Sequence, residues 1–168
     1  MDIKLILVSA IMVILVFLPF VLLPLLQNKD NKKLGKKFRK EEKNHNLNIG
    51  LNEEWSQNAI GIDPEQKKLL FVQKSDDGHI VECIDLNTVH SCIPLIDEIT
   101  IVKNGKKETL LKRVSFNLAF KNTEIKKEIN LFDYDLHVSQ DLEVQHAQKW
   151  AGLIKQQLSN QPVYSKTA

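Results

Sequence analysis

Two histidines and two cysteines within fourteen residues are the first group in this sequence whose types could do chemistry. His79, Cys83, His90 and Cys92 would supply the nitrogen and sulfur ligands that zinc prefers. If His79 and Cys83 share a strand, however, they lie about 13 Å apart, too far to bind one ion directly. Both cysteines also alternate with apolar residues, as small buried side chains do. We expect reduced structural thiols, with a metal site or a Cys83–Cys92 disulfide as the alternatives.

Paired carboxylates are the second group that could support a reaction. They occur at Asp76-Asp77, at Asp97-Glu98 and at Asp133 with Asp135. Acid–base catalysis needs a carboxyl group whose pKa is tuned by its surroundings, and the sequence shows no tuning group beside these pairs. The sequence also contains no Gly-x-Ser-x-Gly motif and no glycine-rich phosphate loop. We therefore predict a protein that is not an enzyme, with no catalytic residue, no cofactor and no small-molecule substrate.

The elements that must position these residues fit into one small domain with appendages. The chain has 168 residues, of which 43% are hydrophobic and 26% charged. Six glycines and five prolines exclude collagen-like and low-complexity classes, and two cysteines exclude a disulfide scaffold. The average composition nevertheless conceals regions that differ strongly.

An uncharged run from Leu5 to Leu26, after a short N-terminal cap at 1–4, predicts a membrane anchor. Its 22 residues contain one polar side chain, Ser9. A helix of this length reaches about 33 Å, enough to cross a hydrocarbon core of about 30 Å. A cleaved signal has a shorter apolar stretch and ends in small residues, whereas this run ends in leucines. We interpret it as a retained transmembrane helix.

A cluster of basic residues follows this run and predicts its orientation. Eight lysines and arginines and three acids give the segment 28–48 a charge of +5, so the overall +2 leaves −3 for the remaining C-terminal part. Basic residues beside a span stay in the cytoplasm, which places the N-terminus outside and the C-terminal domain in the cytoplasm of a single-pass inner-membrane protein. The acidic balance of that domain argues against a nucleic-acid partner.

Residues 27–53 are polar and rich in charge, and they predict a mobile basic tether between the anchor and the domain. Such clusters attract anionic headgroups as well as setting topology. The candidate lipid-binding residues of this tether are Lys32, Lys33, Lys36, Lys37, Arg39 and Lys40.

Short apolar or alternating runs between residues 54 and 132 predict six or seven strands. Asp76-Asp77-Gly78 and Asn104-Gly105 are typical of tight hairpins. Pro94 predicts a break between a strand at 89–93 and another at 99–102. The pattern favours a β-sandwich or barrel, in which a sheet curls on itself and leaves one end open.

A single amphipathic helix is predicted to close that end, capped by Ser139 or Asp141. Its apolar stripe consists of Ala147, Trp150, Ala151, Ile154 and Leu158. Gly152 in the middle of this helix predicts a close approach to the sheet. The tail at 159–168 has no periodicity and is expected to be loose.

The order of strands followed by one helix bearing Ala147-x-x-Trp150-Ala151-x-x-Ile154 resembles the pleckstrin-homology-like superfold. The chain looks most like small bacterial single-pass proteins with such a domain over residues 54–158. The resemblance implies a membrane protein that binds a partner protein by peptide addition beside the C-terminal helix or along a strand edge. Lipid-binding members cluster basic residues at the first hairpin, where this sequence has Lys67-Lys68 and no arginine.

Our leading hypothesis is therefore a membrane-anchored, non-enzymatic assembly module with a cytoplasmic domain and an unidentified protein partner. A second hypothesis is a domain that senses anionic lipid headgroups through a lysine-rich hairpin containing Lys103, Lys106 and Lys107. A third is an extracytoplasmic domain on an uncleaved signal anchor.

Overall fold

Helices precede and follow a set of seven strands in the computed structural model, which describes residues 12–18, 32–103, 105–121, 124–136 and 142–159. The described part of helix α1 consists of residues 32–44. The strands are β1 Leu51–Trp55, β2 Asn58–Asp63, β3 Lys68–Ser75, β4 Gly78–Asp85, β5 Val89–Lys103, β6 Lys106–Phe120 and β7 Lys126–Asp133. A 3₁₀ turn, Leu86–Thr88, separates β4 from β5, and helix α2 spans Glu143–Ser159.

The strands form two antiparallel sheets with the orders β1-β2-β3-β4 and β5-β6-β7. Glycines at both predicted hairpins allow the tight turns, because Gly78 and Gly105 adopt φ angles of +136° and +76° that other residues avoid. The predicted mainly-β domain with about seven strands and one C-terminal helix is confirmed. The described strands form no closed barrel, because the chain leaves the first sheet at Leu86–Thr88 and begins a separate sheet with β5.

Strand β5 corrects the prediction of two short strands separated by Pro94. It is one strand of 15 residues, with register shifts against β6 after Val89 and after Asp97. Within the described residues β5 pairs with β6 alone, so its other side is a sheet edge. A proline is tolerated there because its missing N–H is not required by the ladder.

The main core lies between the two sheets and beneath α2. Phe71, Phe116 and Leu131 from three strands are buried there together with Trp150 of α2. The predicted stripe of the helix faces this core: Ala147, Trp150, Ala151 and Ile154 are buried, and Leu158 is partly buried against them. Helix α2 packs on β5 and β6 and covers one end of the sandwich.

The segment predicted as a mobile tether differs from that expectation, because residues 32–44 form helix α1 and pack on the outer face of the first sheet. Leu34 and Phe38, spaced four residues apart, are 3% and 2% exposed. They form a second, smaller core with Leu47, Ala59, Leu70 and Val72. The domain therefore has three layers, and β1 begins inside the range predicted for the tether.

Strand β2 shows why the helix fits. All six of its residues are buried, because Ile60 and Ile62 face the main core while Ala59 faces α1. Gly61 lies on the α1 side, where a Cβ atom would stand 2.8 Å from Phe38 Cζ and 2.7 Å from Ile49 Cγ2. The absence of a side chain at Gly61 thus lets the ring of Phe38 approach the strand.

Only residues 12–18 of the predicted span at 5–26 are described; they are helical, and Met12 to Leu18 expose 50–67% of their surface. In the described part of the chain, no helix is both long and apolar enough to span a membrane. The N-terminal cap, both predicted helix caps and the tail beyond Ser159 lie outside the described residues. Gly152 makes no close approach to the sheet, since a Cβ there would meet nothing within 4 Å.

Candidate functional site

The histidines and cysteines do not form one cluster. His79 and Cys83 lie on β4, while His90 and Cys92 lie on β5 in the other sheet. Both cysteines are free thiols, so the disulfide alternative is not formed. Burial raises the pKa of Cys83 and raises that of Cys92 to about 12. Within the described residues no three histidine, cysteine or acidic side chains are grouped to hold a metal ion.

The paired carboxylates support turns and strand ends. Asp76 and Asp77 are exposed between β3 and β4. Asp133 is buried at the end of β7, where it accepts hydrogen bonds from Arg113 Nε at 3.3 Å and from the N–H of Asp135 at 3.1 Å. Asp63, at the end of β2, accepts three backbone N–H groups, including that of Asn48 at 2.7 Å. Burial opposes ionisation of Asp63, but these bonds outweigh it and lower its pKa.

The basic residues predicted in the tether lie on one side of α1. Six positions separated by steps of one, three or four residues are exposed on the helix surface opposite Leu34 and Phe38. This set, the basic face of α1, consists of Lys32, Lys33, Lys36, Arg39, Lys40 and Lys43. The acids of the helix lie elsewhere, so the face carries charges of one sign.

Lys37 and the two acids of α1 occupy its inner side. Lys37 Nζ donates to Glu41 Oε1 at 2.7 Å, and Asn44 donates to the other oxygen of that carboxylate at 3.1 Å. These hydrogen bonds lower the pKa of Glu41. Glu42 Oε1 accepts the N–H of Ile49 at 3.2 Å. Lys37 is thus paired with Glu41 and lies apart from the basic face, and its predicted contact with lipid stays a prediction.

Lys103, Lys106 and Lys107 lie at the tip of the long β5–β6 hairpin. All three are exposed, and Val102 beside them exposes 69% of its surface. Strand β7 pairs with β6 from Arg113 to Ala119, so the tip extends beyond the three-stranded part of the sheet. The hairpin presents a small basic and apolar end to solvent.

A pair of tryptophan–glutamate contacts joins β1 to α2. Trp150 Nε1 donates to Glu53 Oε2 at 2.5 Å, and Lys149 Nζ donates to Glu53 Oε1 at 2.8 Å. Burial alone would raise the pKa of Glu53, but the bonds from Lys149 and Trp150 prevail and lower it. In the opposite sense, Trp55 Nε1 of β1 donates to the buried Glu143 Oε2 of α2 at 2.6 Å.

The sequence did not predict that Glu53, Trp55 and Glu143 join Trp150 in these contacts. Glu143 precedes Ala147 by four residues and therefore continues the apolar stripe of α2. A carboxylate at such a position needs a buried donor, and an indole N–H is the donor that a large apolar residue can supply. The position of Glu143 and its need for a buried donor do not indicate which tryptophan donates the hydrogen bond.

The free edge of β5 is the longest strand edge among the described residues. Pro94 and Phe116 are register partners, and Pro94 has no N–H to bond β6. The Lys112 carbonyl of β6 accepts the N–H of Tyr134 on the β7 side, so the odd-numbered residues of β6 bond β5. Because hydrogen-bonding direction alternates along a strand, the backbone groups of Cys92, Pro94 and Ile96 point to the free edge. Ile93 and Leu95, on the opposite face from Cys92, are 56% and 39% exposed. Apolar side chains therefore flank a row of backbone groups that pair with no strand among the described residues.

Polar side chains join the two sheets on the side of β7. Asn58 Nδ2 donates to the carbonyl of Leu131 at 2.9 Å, and Gln73 Nε2 donates to Asn58 Oδ1 at 2.9 Å. Lys127 and Glu82 form an ion pair between β7 and β4. A depression lined by Gln57, Gln73, Lys74 and Asn130 among others opens beside this bridge. These contacts fix the sandwich and serve a structural role.

No protein-family model, curated protein or solved structure shows significant similarity to this chain.

Proposed function

We propose that this chain is a membrane-anchored, non-enzymatic interaction module with a cytoplasmic pleckstrin-homology-like domain that binds a partner protein. The division into four strands and three strands, followed by a helix with a buried tryptophan, supports the resemblance to that superfold. The uncharged run at 5–26 and the basic residues after it support a single-pass anchor in the inner membrane with the N-terminus outside.

The observation that carries the proposal is the open edge of β5 beside α2. An extended peptide can add to such an edge as a further strand, with main-chain hydrogen bonds supplying affinity and neighbouring side chains supplying specificity. Ile93 and Leu95 offer apolar contact to alternate side chains of an added strand. The expected partner segment is extended, with apolar residues at every second position.

Strand addition can be tested by changing one donor on this edge. Ile96→Pro removes an N–H that points away from β6, so the pairing of β5 with β6 is retained. Ile96→Ala is the matched control because it shortens the same side chain and keeps the N–H. A photoreactive residue replacing Leu95 in the full chain, in cells that naturally produce it, reports contact at the edge, and one replacing Asp77 serves as the reference position.

We expect a discrete crosslinked adduct from position 95 and none from position 77. The adduct should persist with Ile96→Ala and disappear with Ile96→Pro, while circular dichroism shows both variants folded. An adduct that is insensitive to Ile96→Pro, or no adduct at position 95, would contradict strand addition as the binding mode.

A second candidate function, lipid sensing through the β5–β6 hairpin, is favoured by the exposed lysines beside Val102 at its tip. In full-length protein embedded in lipid nanodiscs, an amine-acylating reagent should then modify Lys103 more slowly with anionic than with neutral lipid. Lys106→Glu combined with Lys107→Glu should abolish that difference. Equal acylation of Lys103 in both lipids would exclude this function.

The proposed orientation has a direct test that also addresses the extracytoplasmic alternative. A reporter fused after Ala168 should be active if it is one that functions in the cytoplasm and inactive if it requires export. The reverse result would place the domain outside the cytoplasm and overturn the cytoplasmic part of the proposal.

A further inference from the structure

We propose that α1 is a membrane-seating helix, whose basic face rests on anionic lipid headgroups while its inner face fixes the domain in one orientation. The proposal rests on the membrane anchor proposed above. It assigns a defined surface to residues that the sequence alone presents as a loose cluster of charge. The ligand is the anionic surface of the bilayer that holds the anchor.

The charge distribution on α1 is the first support. The basic face contains six exposed cationic side chains, whereas Glu41 binds Lys37 and Glu42 binds the backbone of Ile49 on the inner side. The separation of the two signs concentrates positive charge outward. Near an anionic bilayer each such residue contributes an attraction that corresponds to about a five-fold change in affinity.

The short distance along the chain is the second support and favours a membrane over another polyanion. Lys32 follows Leu26, the last residue of the apolar run, by six positions. Even a fully extended chain of that length spans at most about 21 Å. If the run is in the bilayer, this reach keeps Lys32 near the membrane, so that the basic face can come within a Debye length of about 8 Å of the headgroups.

Rigid attachment of α1 to the domain is the third support, because it makes the position of α1 determine the orientation of the domain. Leu34 and Phe38 are buried against the first sheet, and the chain after the helix is pinned by hydrogen bonds from Asn48 N to Asp63 and from Gly50 N to the Ile62 carbonyl. Because the helix is packed on the sheet and the chain after it is fixed by hydrogen bonds, α1 cannot act as a flexible tether. The outer face of the first sheet must then be turned toward the bilayer.

Contact with lipid can be measured on the full chain in nanodiscs of phosphatidylcholine alone or mixed with phosphatidylglycerol. At about 0.1 M salt, the lysines of the basic face should be acylated about five-fold more slowly in the anionic discs, and about 1 M salt should remove the difference. Lys126 on β7 and Lys155 on α2, both exposed, are the internal reference. Equal rate ratios at α1 and at the reference lysines would overturn the proposal.

Charge reversal provides a matched pair of variants that leaves the inner face of α1 intact. Lys36→Glu, Arg39→Glu and Lys40→Glu together should remove the protection of Lys32 and Lys43. Lys106→Glu, Lys107→Glu and Lys112→Glu change the net charge equally, keep the two reference lysines and should leave that protection in place. Loss of protection in both variants would indicate a response to total charge and would contradict a specific seat.

Orientation needs a separate measurement. In a chain with Cys83→Ala and Cys92→Ala, dyes attached at Lys74→Cys, on the α1 side of β3, and at Lys155→Cys, on α2, should be quenched unequally by lipids with a nitroxide headgroup. The stronger quenching is expected at position 74. Equal quenching at the two positions would refute the fixed orientation. Release of the full chain from membranes by alkaline carbonate would instead refute the anchor, so failure of the proposed function is distinguishable from failure of this inference.

Discussion

Trp55 of β1 stacks on His146 of α2, with ring centroids 4.7 Å apart and planes inclined by 14°. The same two elements exchange hydrogen bonds, since the indole of Trp55 donates to Glu143 and the indole of Trp150 donates to Glu53. Each element thus supplies one indole donor and one carboxylate acceptor to the other. Helix α2 is secured to a terminal strand of the first sheet as well as to the second sheet.

The hydrogen bonds between β1 and α2 predict that the free energy of unfolding depends on pH through Glu53. Its pKa lies below the ordinary value of 4.5 in the folded chain, so its contribution is complete at higher pH and is lost as pH falls through the lowered pKa. Glu53→Gln should lower the free energy of unfolding most at about pH 7 and progressively less toward about pH 3. Urea denaturation at several pH values measures this. A constant difference between variant and wild type would contradict an ionised Glu53.

Trp150 predicts a large loss of stability on truncation. It is fully buried, and Trp150→Ala should lower the free energy of unfolding by about 3–5 kcal/mol because a cavity replaces the ring. Trp150→Phe keeps much of the apolar contact and loses the Nε1 donor, so its cost should be smaller. Chemical denaturation followed by far-ultraviolet circular dichroism compares them. Equal midpoints for all three proteins would show that the main core does not depend on this residue.

Gly61 predicts a way to release α1 without changing the main core. Gly61→Val places side-chain atoms where Phe38 Cζ and Ile49 Cγ2 now stand, so α1 should separate from the first sheet. Hydrogen exchange should accelerate over residues 32–44 while protection in β6 is retained. Uniform acceleration throughout the domain would mean that α1 and the sandwich unfold as one unit.

Gly152 predicts the opposite effect. It lies in the middle of α2 with open space at its Cβ position and no left-handed φ angle. Gly152→Ala should therefore raise the free energy of unfolding by about 1 kcal/mol through helix propensity. A rise in the urea midpoint with an unchanged slope would agree. A fall in the midpoint would mean that this position requires glycine for a reason unrelated to space.

The second sheet and α2 were predictable because their patterns are local. Val114, Phe116, Leu118 and Phe120 alternate as one face of a strand, and the stripe of α2 repeats at helical spacing. The extent of β5 was not predictable, because Pro94 breaks a central strand but is accepted on an edge strand. Which strand forms an edge depends on the arrangement of the whole sheet.

The sequence contains an indication that α1 packs on the sheet, but the many charged residues of this segment made a polar tether the simpler interpretation. Leu34 and Phe38 stand four residues apart, a spacing that places them on one side of a helix. The continuous apolar run Leu69-Leu70-Phe71-Val72 indicates a strand buried on both faces, which requires a third layer. Neither signal identifies its partner alone, and only the structure shows that one covers the other.

The location of Pro94 affects whether copies of this protein aggregate when they are present at high concentration. Long uncovered strand edges promote edge-to-edge aggregation. A second copy approaching β5 would meet a missing donor at Pro94 and the charges of Asp97 and Glu98 shortly beyond it. The edge is thus open to a short strand, while continuous stacking of identical domains into a fibre is unfavourable.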